Sequence, residues 1–217
     1  MTPSLCLITS VIKTPSLPLS YTATRSVFTH EERYIQTLKT IESVKNKIPG
    51  VIICLVECSD LDKDQVAKIT SVVDYFLNIF DDTELRSMVY SPSKSMGEGT
   101  MTIAALDYIK ARRIEYNSFY KISGRYWLND LFRPYDYPIF VKSTENGDGI
   151  PTTLYKLNND SVNAFHKFLL EKYYDMKNCR GYELIFAEFI MQLPNVTFVP
   201  TLGVSGHVSV DNVFYSS

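Results

Sequence analysis

Four short, nearly continuous apolar runs, spaced by stretches of helical periodicity, limit what this chain can fold into more than any other feature. Leu5-Cys-Leu-Ile-Thr-Ser-Val-Ile12, Val51-Ile-Ile-Cys-Leu-Val-Glu57, Tyr75-Phe-Leu-Asn-Ile-Phe80 and the segment opening at Phe119 read as buried strands. Strands that alternate with helices predict an α/β domain, in which helices cover both faces of a central, mostly parallel mixed sheet. The 217 residues are enough for one full core, so a single domain, 1–217, is expected.

Charge and composition narrow the partners. The 22 cationic and 24 acidic residues leave a net charge of −2, with no polybasic block, which argues against nucleic acid. No apolar run approaches the roughly 20 residues that span a bilayer. Lys13 and Pro15 cut short the first apolar run, and no charged segment precedes it, so no signal peptide is expected. Cys6, Cys54, Cys58 and Cys179 show neither C-x-x-C nor zinc spacing, which fits a reducing, cytoplasmic location.

Helix signals place the motifs. Thr29 with Glu32 forms a capping box, Pro49-Gly50 ends that helix, and Ile35, Leu38, Ile41, Val44 and Ile48 recur on its inner face, leaving Arg33, Lys39, Glu42 and Lys45 to water. A second helix starts at Ser59 or Asp62. A third follows a loop, Ser91–Gly99, and ends near Arg112-Arg113. Beyond residue 130, Pro134, Pro138, Gly147, Gly149 and Pro151 break up short strands at Ile139–Lys142 and Thr152–Leu157. Two helices follow, one built on Val162, Phe165, Leu169 and Tyr173, the other on Tyr182, Ile185, Phe189 and Leu193. Val196–Val199 is a last strand, and the tail Gly203–Asp211 is flexible in composition, yet too rich in Val for a disordered tag.

Several positions carry chemistry. The most informative stretch is Phe119–Asn129, where a strand runs into Gly124 and then presents Arg125, Tyr126 and Trp127 at its carboxyl end, the ligand-binding rim of an open sheet. Arg125, Arg25 and Arg33, the last unless it is only a solvated helix start, offer planar forks suited to phosphate oxygens, whereas Tyr126 and Trp127 offer flat faces for a sugar or base, unless Trp127 is core. Lys94 and Glu98 lie in the third helix's entry loop, whose amides can face an anion. It is no P-loop, because G-x-x-x-x-G-K-[ST] is absent. Glu57 and Ser59 end the second strand, where an acid can accept from a ribose. Asp60-Leu-Asp62 matches D-x-D, although Asp62 suits a helix cap equally. Lys121 points away from Ile122 by strand alternation. Glu183, in the first turn of a late helix, is placed as a general base, or merely to complement the dipole. His207 with Asp211 suits a metal or a phosphate, or is a surface residue.

Together, Arg25–Arg33 with Gln36-Thr37 and Thr40-Ile41, then Lys94-Ser-Met-Gly-Glu98, then Tyr120-Lys-Ile-Ser-Gly-Arg-Tyr126 resemble GT-A type nucleotide-sugar glycosyltransferases over nearly the whole chain. The likeness is to a group of small bacterial and viral members that includes capsid-glycosylating ones. It implies a Rossmann-like domain whose first half, 1–130, binds a nucleotide sugar, UDP-linked by preference, and whose second half, 131–217, binds a glycan or glycoprotein acceptor, as one domain of a longer polypeptide. By the same resemblance Thr9, Ser10 and Arg25 lie near base and diphosphate, Glu57 near the nucleoside, and Glu183 acts as base. The family's D-x-D site for Mn²⁺ or Mg²⁺ reads Ser123-Gly124-Arg125 here, so a divalent cation is in question and Arg125 is its substitute. In a retaining enzyme Glu183 positions substrate instead, with Glu188 or Asp148 nearer the reaction. A sugar nucleotidyltransferase is the competing enzyme class, disfavoured because Lys13–Pro18 holds no glycine, and a non-catalytic carbohydrate-binding module is a third reading.

Overall fold

The computed structural model describes residues 2–134, 137–144 and 149–217. In chain order the elements are β1 (Ser4–Ser10), α1 (His30–Lys47), β2 (Ile52–Glu57), α2 (Lys63–Thr70), β3 (Tyr75–Asn78), α3 (Thr83–Val89), α4 (Lys94–Ala111), β4 (Ser118–Ser123) and β5 (Tyr126–Leu128). There follow β6 (Phe140–Lys142), β7 (Leu154–Asn158), α5 (Asn159–Glu171), α6 (Tyr173–Lys177), α7 (Tyr182–Ile190), β8 (Thr197–Val199), β9 (Val204–His207) and β10 (Phe214–Ser216).

Seven strands form one sheet in the order β3-β2-β1-β4-β7-β6-β8, and β10-β9-β5 form a small second sheet. β3, β2, β1 and β4 run parallel, β7 pairs antiparallel with β4 and β6, and β6 runs parallel to β8. This is the mixed, largely parallel sheet that the alternation predicts. Strand alternation divides the core into two layers. Leu5 and Leu7 of β1 pack with Met101 and Ala105 of α4 and Phe186 of α7, whereas Cys6 and Ile8 pack with Ile41 and Val44 of α1.

The α1 capping box is present: Thr29 accepts from the Glu32 amide at 3.2 Å, while Glu32 accepts from the Thr29 amide at 2.7 Å. The inner face of α1 differs from the predicted one. Ile35 is 55% exposed, and the buried stripe is Arg33, Thr37, Thr40, Ile41 and Val44. Its hydroxyls hold the β4–β5 corner: Thr37 donates to the Gly124 carbonyl at 3.1 Å, Thr40 donates to that of Tyr126 at 2.7 Å, and Ser43 accepts from the Leu128 amide at 3.0 Å. Three hydroxyls at helical spacing thus dock a neighbour as an apolar stripe would.

Other boundaries also move. Asp62, not Ser59, caps α2, through a reciprocal pair with Gln65. Lys94–Gly99 is the opening of α4, capped by Ser93, and not a loop. α3, α6, β5, β9 and β10 were not expected from periodicity. The Val-rich tail Gly203–Asp211 contains β9, which pairs with β5 and β10. Gly147 and Asp148 lie outside the described residues.

Candidate active site

From β1 the chain crosses through α1 to β2 on one side, and it later reaches β4 on the other. The carboxyl ends of β1 and β4 therefore flank the point where strand order reverses, the position at which open sheets form ligand crevices. Gly124 lets the two ends close up. Its amide donates to the Thr9 carbonyl at 2.8 Å, and a Cβ there would lie 3.0 Å from the Ser10 Cβ.

A cleft opens at this point, with Thr9 and Ser10 from β1, Ser123 and Gly124 from β4, and Gly97 and Glu98 from α4. Leu19, Tyr21 and the segment Val208–Val210 wall it. Arg25, Arg33, Lys94 and Arg125 all line it, so four cationic side chains from separate parts of the chain share one hollow with a single carboxylate, Glu98. The sequence offered Arg33 either as a phosphate donor or as a solvated residue at the helix start. It is buried because its Nε donates to the Val11 carbonyl at 2.7 Å and its Nη1 to Ser209 Oγ at 3.2 Å. Burial, then repulsion from Arg125, lowers its pKa to about 9.

These cations are not equally available. Arg25 donates to the carbonyls of Leu17 at 3.1 Å, Val89 at 3.3 Å, Tyr90 at 3.1 Å and also Ser91, which makes it a clamp between two loops. Lys94 pairs with Glu183 at 3.2 Å, and that attraction, with the field of Glu98, outweighs burial to raise its pKa. No described residue hydrogen bonds to the Arg125 guanidinium, and its Nε is buried without a partner.

Glu183 lies beside the cleft. It lines an adjoining hollow with Ser20, Tyr182, Cys179 and Gly181, and Tyr21 and Lys94 line both hollows. The hollow with Glu183 is thus separated from the cationic cleft by two shared side chains.

Other expected site residues lie outside the cleft, each for a physical reason. Lys121 is fully buried, with its ammonium donating to Glu98, to Ser123 Oγ at 3.1 Å and to the Thr152 carbonyl at 2.9 Å, which uses all three donors. Glu57 is fully buried. Its Oε1 accepts from the amides of Ile12 and Cys58, each at 3.0 Å, and from Ser59 Oγ at 2.6 Å, tying down the turn after β1, and burial raises its pKa. Ser59 in turn accepts from the Lys13 amide at 2.8 Å. Tyr126 is core, edge-on to Tyr215 at 5.7 Å. His207 sits in an aromatic group on the small sheet with Phe214, Trp127 and Phe28, where Lys39 lies 3.3 Å above the Trp127 ring. Asp211 closes a turn by accepting from the Val213 amide at 3.0 Å.

Glu188 lines neither hollow, because Lys172 at 2.8 Å and Arg180 hold it. Tyr21, Thr14 and Ser209 were missed as lining residues, and only the Val-rich, non-repetitive tail hinted at the last.

The residues present do not suit a divalent cation. Among the described residues no three His, Cys, Asp or Glu side chains come together as such a site requires. Arg125 occupies the expected position after β4, Glu98 is paired with Lys121, and Asp62 is committed to its helix cap. No described helix is long and apolar enough to cross a membrane.

No family model and no curated protein sequence matches this chain. Solved structures do. A nucleoside-diphosphate-sugar pyrophosphorylase from Vibrio cholerae is 8% identical at a TM-score of 0.53, with 93% of each chain covered. The CTP:phosphocholine cytidylyltransferase of Streptococcus pneumoniae is 12% identical at 0.52, covering 97% of this chain and 96% of its own. Glycosyltransferases are also among the neighbours, including one involved in glycosylation of the major capsid of PBCV-1, at 10% identity, 0.47, and 92% and 84% coverage. At such identities the likeness concerns the fold alone: the chain has the GT-A-like, Rossmann-type α/β fold expected from its sequence.

Proposed function

We propose that this protein is a glycosyltransferase that moves a sugar from a nucleoside diphosphate to a hydroxyl of a glycan acceptor. One observation carries the reading. A cation-lined cleft at the β1/β4 switch point meets, across Lys94 and Tyr21, a second hollow that holds Glu183. The diphosphate suits the first hollow, and an acceptor hydroxyl beside Glu183 suits the second.

In this reading the acceptor oxygen attacks the anomeric carbon, Glu183 takes its proton, and the bond to the diphosphate oxygen breaks. The leaving group departs as an anion towards Arg125 and Lys94. Such a single displacement inverts the anomeric centre. The finer assignments, a UDP-linked hexosyl or deoxyhexosyl donor and a viral capsid glycoprotein acceptor, rest on the sequence resemblance. If the retaining route operates, Asp148, outside the described residues, is the carboxylate left to consider.

The test is turnover of UDP-, GDP- and dTDP-sugars with glycan acceptors, compared with Glu183→Gln. Loss of base assistance should lower kcat by about 10²–10⁴-fold with little change in donor affinity. Unchanged turnover would remove Glu183 from the mechanism. Sugar-nucleotide synthesis from a nucleoside triphosphate and a sugar phosphate would replace this reading with nucleotidyl transfer, the reaction class of the two nucleotidyltransferase neighbours.

A further inference from the structure

Four cationic side chains face one carboxylate in the cleft, and that carboxylate is already paired with Lys121. Apart from Lys94, which Glu183 meets from the adjoining hollow, this positive charge has no free carboxylate among the described lining residues. Arg33 and Arg125 repel each other across the cleft, a cost that an anion between them would relieve. Arg125 is the sharpest sign. Leaving a buried donor unsatisfied costs about 1–3 kcal/mol, so a native fold that keeps the Arg125 Nε without a partner is set up for a ligand. The guanidinium above β4 stands where the sheet geometry puts the diphosphate, and its flat fork matches two phosphate oxygens.

We propose that the diphosphate is neutralised by side-chain cations alone, with Arg125 as the principal contact and Arg33 and Lys94 around it, and that nucleotide binding requires no divalent cation. This rests on the glycosyl-transfer reading of the same cleft and specifies how it holds its donor. A divalent cation placed here would meet guanidinium and ammonium groups with no free carboxylate among the described lining residues. The same charges that exclude it perform its task.

The experiment is calorimetric titration of the full chain with UDP, and separately with inorganic pyrophosphate, first in EDTA and then in MnCl₂ or MgCl₂. We expect the same affinity in all three conditions, falling as KCl rises. Arg125→Ala should weaken UDP binding by about 10- to 100-fold, the range for lost charge-assisted hydrogen bonds. Arg125→Lys should lose less. Without ligand, Arg125→Ala should melt no lower than wild type, since it removes an unpartnered buried donor. UDP binding that appears only with Mn²⁺ or Mg²⁺ would overturn the proposal while leaving glycosyl transfer standing, and so would an Arg125→Ala protein that binds UDP like wild type. No binding of UDP, GDP, dTDP or pyrophosphate under any condition would overturn both.

Discussion

Two ion pairs leave the same face of α4 one turn apart, and they have opposite characters. Glu98 meets Lys121 in a pair whose side chains are 14% and 0% exposed. Lys94 meets Glu183 with 41% and 38% exposure, at the boundary between the two hollows. The inner pair has further partners in Ser123 and Thr152, while the outer pair opens onto a hollow. Identical chemistry thus gives a buried strut in one place and, on the proposed reading, a group available for reaction in the other. What separates them is access to solvent. A sealed charge has to keep its partner, whereas an open one can exchange it for a reacting group.

The contrast can be broken by removing one partner at a time. Glu98→Gln strands a buried ammonium and should lower stability by about 3–5 kcal/mol in urea denaturation, with Glu98→Gln/Lys121→Met recovering much of the loss. A single variant that melts like wild type would show that the inner pair is no strut. The inner pair also sets an acid limb. Burial alone would raise the Glu98 pKa, but Lys121 and then Lys94 outweigh it and hold it below the usual carboxylate range. Its stabilisation is therefore complete above the unfolded value of about 4.3 and is lost as pH falls through the depressed folded value. Stability curves below neutral pH should lose that component in the double variant. Lys94→Met should give the smallest stability change, under about 1 kcal/mol, because exposed pairs contribute little. Its turnover should fall more clearly than its melting temperature, and parallel losses would make the outer pair structural too.

The sequence carried the sheet and its ligand-binding rim well. Continuous apolar strands reveal themselves without tertiary context, and so does a capping box such as Thr29 with Glu32. The polar interior was harder to read. Thr37 and Thr40 face inward because carbonyls at the β4–β5 corner accept from them, a partnership that hydrophobic periodicity cannot register, and so Ile35 was assigned to the wrong side. Gly97 and Gly99 suggested a loop, although Gly97 is helical and needed because a Cβ would lie 2.9 Å from the Val89 carbonyl. Arg25, Lys94 and Arg125 were placed together by fold logic, and the structure brings them to one hollow. Lys121, Glu57 and Tyr126 sit at or near the same strand ends but face inward, and a one-residue difference in a strand decides between those outcomes.

The wall formed by Val208–Val210 has a consequence for assembly. Ser209 accepts from Arg33, 176 residues earlier, and its carbonyl accepts from the Val27 amide at 2.8 Å. Closing the cleft therefore depends on contacts very far apart in sequence. A nascent polypeptide still lacking β9 and the turn after it can build its parallel strands, yet its cleft lacks one wall, so on the proposed reading ligand binding should emerge abruptly and only once that wall has been made.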